Sequence, residues 1–144
     1  MNAERIISVL DWFLMEGGEP LYECPPAAGD DIVLDEGIFE IKFPDFEVYV
    51  GPPTRPLVGI MDVAVLLRPA MALEVEVIRA WLAPHIKALP LGFELEILPT
   101  EDGHQDNSLW LSKCLSTADF VNNHYPEVLS KLMIEAKRLH TLSY

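Results

Sequence analysis

Ile38-Phe39-Glu40-Ile41-Lys42-Phe43-Pro44-Asp45-Phe46-Glu47-Val48-Tyr49-Val50 is the stretch that decides the fold. Phe39, Ile41 and Phe43 alternate with Glu40 and Lys42, and Phe46, Val48 and Val50 alternate with Glu47 and Tyr49. Successive side chains of a strand point to opposite faces, so this period of two predicts two half-buried strands. Pro44-Asp45 between them suits a tight turn, because proline presets the first backbone angle and aspartate bonds to its own main chain. The segment therefore reads as a hairpin, with space for a short strand before it at Ile32 to Leu34.

Upstream, Ile6, Val9, Leu10, Phe13 and Leu14 recur at the spacing of one helical face over residues 3 to 16, and Gly17-Gly18 provides a left-handed stop. Pro20, Pro25, Pro26 and Gly29 mark Glu19 to Asp31 as an irregular loop. Downstream, Leu57 to Leu67 is apolar on both parities, which predicts a central strand covered on both faces. Residues 71 to 89 return to helical spacing, with Pro84 expected to kink or end the regular part. Phe93 to Ile97 alternates again, Thr100 to Asn107 is a polar connection, and Ser108 to Leu115 is its return strand. Ser116 with Asp119 resembles a capping box ahead of a helix carrying Leu129, Leu132, Met133, Ala136 and Leu139, with Pro126 dividing that run or starting its main segment. The order is helix, three strands, helix, two strands, helix: an α+β fold in which helices cover an antiparallel sheet, as a single domain over residues 1–144.

With 23 acidic against 10 basic side chains in 144 residues, the formal charge is −13. Phosphate affinity is built from clustered lysine and arginine, so neither nucleic acid nor an anionic membrane is an expected partner. Leu57 to Ala72, the most apolar stretch, is broken by Gly59, Asp62, Arg68 and Pro69 and does not read as a membrane span. The first residues lack the basic head and uniform apolar stretch of a secretion signal, and Cys24 and Cys114 lack the spacing of a redox or zinc motif. A cytoplasmic location with reduced thiols is the expectation.

Chemistry has no clear address. Glu101-Asp102-Gly103-His104-Gln105-Asp106-Asn107 gathers oxygen ligands and an imidazole, yet it departs from calcium-loop spacing and reads as a solvated turn. Cys114 would need a nearby histidine to act as a nucleophile, and its place in a strand makes it a small buried hydrophobe. Acidic neighbours of Cys24 would raise rather than lower its thiol pKa. Glu94 and Glu96 share a strand face and read as its wet side. Asp62 is the unusual carboxylate. Inside the most apolar strand it needs a partner such as Arg55, Arg68 or a backbone amide, because an unpaired buried charge costs several kcal/mol. No phosphate loop, nucleophile elbow or metalloprotease motif is present, so no catalytic residue, metal or cofactor is assigned.

The second helix carries two apolar stripes. Met71, Val75, Ile78, Leu82, Ile86 and Leu89 form one, and Leu73, Val77, Ala80 and Trp81 form another. If one stripe covers the sheet, Leu73, Val77 and Trp81, or the opposite set, are left for another surface, and burying three such side chains would contribute on the order of 5 kcal/mol. A homodimer is then the economical outcome; alternatively both stripes are internal, beneath a neighbouring helix.

This order of elements in a small acidic chain resembles the class I chaperones of bacterial type III secretion and the related YbjN-like domains. The resemblance is one of topology and charge over nearly the whole length. It implies a non-catalytic homodimer that holds an extended apolar segment of a protein partner, such as a secreted effector or a basic segment. It places Ile6, Leu10, Phe13 and Phe46 in the holding grooves. The alternative is a small enzyme or ligand-binding domain with a pocket between sheet and helices, using Asp62 or His104.

Overall fold

The computed structural model describes residues 3–20, 38–100 and 106–142. The elements are α1 (Ala3–Met15), β1 (Glu19–Pro20), β2 (Phe39–Lys42), β3 (Glu47–Gly51), β4 (Met61–Met71), α2 (Val75–Ile86), β5 (Phe93–Pro99), β6 (Asn107–Leu115), α3 (Thr117–Phe120), a 3-10 turn (Val121–Asn123) and α4 (Tyr125–His140). The strands form one antiparallel sheet in the order β1-β2-β3-β4-β6-β5. This is the α+β class read from the sequence, with the two-residue β1 added at one edge. The short strand expected at Ile32 to Leu34, the loop around Cys24 and the centre of the 100–107 connection, including His104, lie outside the described residues.

Local chemistry explains the boundaries. At the end of α1 the Gly18 N–H donates to the Phe13 carbonyl and the Gly17 N–H to the Leu14 carbonyl, with Gly17 at φ +99°. This paired closure satisfies carbonyls that the helix leaves open and requires a left-handed residue, which glycine supplies without strain. The β2–β3 turn closes through Phe43 N–H to the Phe46 carbonyl, with Lys42 opposite Glu47. Ser116 and Asp119 form the capping box of α3. That helix lasts only one turn, because Asn122 and Asn123 adopt φ of +59° and +56°. The chain then restarts as α4 with Pro126 in its first turn, where a missing N–H costs nothing.

β4 departs from its reading in position and in cover. Leu57 and Val58 are exposed in a turn in which the Val58 and Gly59 N–H groups both donate to the Arg55 carbonyl. The strand begins only at Met61 and runs past Pro69 to Met71, through register shifts on either side of Arg68. Met61, Val63, Val65 and Leu67 are buried, whereas Asp62, Ala64 and Leu66 between them are half-exposed. The expected two-sided burial is therefore corrected: the strand is buried on alternate residues only, and the described helices lie against one face of the sheet.

The buried cluster joins Ile6, Val9, Leu10 and Phe13 of α1, the inner positions of β2 to β6, Ile78 and Leu82 of α2, and Leu129, Leu132, Met133, Ala136 and Leu139 of α4. Phe13, Phe43, Phe46 and His140 run through it as a chain of ring contacts. No described helix is long and apolar enough to cross a membrane.

Candidate functional site

α2 is the least embedded of the long helices. It starts at Val75, after Met71 has closed β4, and ends two residues past Pro84. Only Ile78 and Leu82 are buried along it, whereas Val77 is 50% and Ile86 47% exposed. Ala80 and Ala83 are exposed as well. The helix is tied in at its start, where the Asn107 side-chain amide donates to the Leu73 carbonyl at 2.9 Å. At its middle the Arg68 guanidinium lies over the Trp81 ring, 5.2 Å from its centre. Arg68 also donates to the His140 and Leu142 carbonyls, so one side chain couples β4, α2 and the end of α4.

The dimer residues read from the sequence therefore separate. Val77 points outward, while Leu73 and Trp81 are half-buried against the core and offer only part of their surface. The groove residues are corrected outright. Ile6, Leu10 and Phe13 are at most 3% exposed, and Phe46 is buried between Phe43 and His140, showing only an edge to a shallow cleft beside Pro44 and Pro69. The face of α1 that the resemblance placed in a holding groove is the face that covers the sheet.

Sequence reasoning missed the cleft between α2 and β5. It has a volume of about 460 Å³ and is lined by Arg79, Leu82, Ala83 and Ile86 on the helix and by Leu95 to Leu98 on the strand. Leu95 and Ile97 occupy the apolar parity of β5. They remain half-exposed because β5 is the last of the described strands. Strand alternation reports which face a residue takes, not whether its strand is at the edge.

The opposite sheet face carries no described helix. Tyr49, Ala64, Leu66, Trp110, Ser112 and Cys114 share it, as the strand register shows. The Tyr49 and Trp110 rings meet edge-to-face at 5.2 Å. The Trp110 indole N–H donates to the Ser108 hydroxyl, which donates to the Leu98 carbonyl.

Asp62 stands at one end of this face in a cavity of about 240 Å³ bordered by Thr54, Arg55, Glu94, Ser112 and Cys114. The backbone amide expected as one possible partner is that of Thr54, whose N–H and hydroxyl donate to Asp62 Oδ2 at 2.9 and 2.8 Å. Arg55 turns instead to Glu94, with nitrogen–oxygen distances of 2.8 and 3.2 Å. Burial first, and then the Asp62 carboxylate beside it, push the Cys114 thiol pKa up to about 11. Gly59 backs onto the sulfur so closely that a Cβ there would overlap it. A thiol held protonated beside a carboxylate that is itself anchored is a poor nucleophile. What the group does is tie the 52–60 loop to the sheet. No histidine lines the cavity, and no cluster of three or more metal-ligating side chains occurs among the described residues.

No family model, curated protein or solved structure matches the chain.

Proposed function

We propose that this protein is a non-catalytic protein-binding module, secretion-chaperone-like in its mode of action, which holds an extended apolar segment of a partner protein as a homodimer in the cytoplasm. One observation carries the reading: α2 is fully buried only at Ile78 and Leu82, with Ile86 left half in solvent beside an open apolar cleft and Val77 half-exposed on another side of the helix. A contiguous exposed apolar surface adjoining a cleft marks a face that closes on another polypeptide. The tethering role of Asp62 and the raised thiol pKa of Cys114 favour binding over turnover. The charge of −13 keeps such a surface soluble and attracts basic segments.

Val77 forms the centre of the self-contact in this reading, with the exposed parts of Leu73 and Trp81 at its margin. Isolation of the protein from its native host, with mass spectrometry of what stays bound, tests the holding role. A single polypeptide retained in stoichiometric amount by the parent chain is expected, and a chain recovered alone contradicts the reading.

A further inference from the structure

The outer edge of β5 has a chemistry that names its occupant. Seven residues, Phe93–Pro99, pair with β6 on one side and with no described strand on the other. A row of unpaired main-chain groups of this length is a template for one more strand. Across the pleat the strand is two-faced: Leu95 and Ile97 look into the cleft under Ile86 and Ala83, and Glu94 and Glu96 look onto the open sheet face. Glu94 is already engaged by Arg55, whereas Glu96 is exposed and has no ion-pair partner among the described residues.

A second copy paired along the whole of β5 is a poor occupant. A two-fold axis centred on Glu96 sets that carboxylate against its own image, and one centred on Leu95 sets Glu94 against Glu96. Like charges directly opposite each other on neighbouring strands are destabilising.

Resting on the holding role argued above, we infer that β5 receives the partner's segment as an added strand in which apolar residues flank a lysine or arginine. The basic side chain lies opposite Glu96 on the open face. Its two neighbours, pointing the other way, enter the α2–β5 cleft. Main-chain pairing supplies the affinity, and the alternation of basic and apolar side chains supplies the selection.

The test is fluorescence anisotropy of the full chain with two short labelled peptides, one alternating valine with lysine and one alternating valine with glutamate. The lysine peptide is expected to bind more tightly. Glu96→Lys should weaken it roughly tenfold and restore the glutamate peptide, which is the scale of reversing one cross-strand charge pair. Asp11→Lys, an equal change of net charge at an exposed position on α1, should leave both affinities close to those of the parent. Equal effects of the two substitutions would reduce the preference to bulk charge and overturn the assignment to β5. Tight binding of either peptide that ignores Glu96→Lys overturns the assignment while leaving the holding role intact. No binding of any peptide, from a chain that also retains no partner from its host, removes both.

Discussion

α4 and α2 lie on the same face of one sheet and differ in how completely they are used by it. α4 buries Leu129, Leu132, Met133, Ala136 and Leu139 and turns Glu127, Lys131 and Lys137 outward, with Ile134 as its one large exposed aliphatic side chain and with Lys137 and Arg138 in the last turn, where positive charge favours the helix terminus. α2 buries two residues and leaves two large aliphatic ones half-exposed. A helix buried along most of its apolar arc is a cover. One whose arc exceeds its contact is a cover with surface left over, and that surplus is where binding is placed here.

The contrast can be broken from the covered side first. Leu132→Ala in α4 removes a fully buried side chain, and a loss of about 3 kcal/mol in denaturant unfolding is expected from the lost burial and the cavity left behind. Asp62→Ala on the open face frees the Thr54 donors; about 1–2 kcal/mol is the expected loss, together with faster proteolysis in the 52–60 loop. Val77→Asp should change the unfolding free energy of the isolated subunit by no more than about 0.5 kcal/mol, since an exposed position bears no packing load. Trp81→Ala is a less clean probe of the same surface, because it also removes the ring beneath Arg68.

Cys114 sharpens the comparison by pH. Its thiol pKa is raised in the fold, so the native state holds the proton more tightly than the unfolded chain does. This contribution is complete below pH 9 and is lost as the pH rises towards 11. Stability of the parent should fall across that window more than that of Cys114→Ser, followed by thermal unfolding. Iodoacetamide should modify the native thiol slowly at neutral pH.

The hairpin around Pro44-Asp45, the capping box at Ser116 and the glycine stop of α1 were legible because each is set by residues adjacent in sequence. β4 was misplaced because the apolar run starts at Leu57, four residues before the strand. What delays it is Gly59, pressed against Cys114 and Leu115 from the far end of the chain. Its other end was hidden because Arg68-Pro69 breaks alternation, while the irregular pairing with β6 carries the strand past both. Asp62 could be recognised as needing a partner, but Thr54 could not be chosen over Arg55 without the loop's path. The α1 residues show the opposite error. Periodicity identified an apolar face, and only the packed sheet shows that the face is already occupied.

Sedimentation equilibrium of the parent chain and of Val77→Asp at micromolar concentration, with circular dichroism to establish that both are folded, tests the central claim most directly. The account expects the parent to sediment as a dimer and the folded variant as a monomer. A parent that is monomeric across that range, or a variant that dimerises as the parent does, would contradict it.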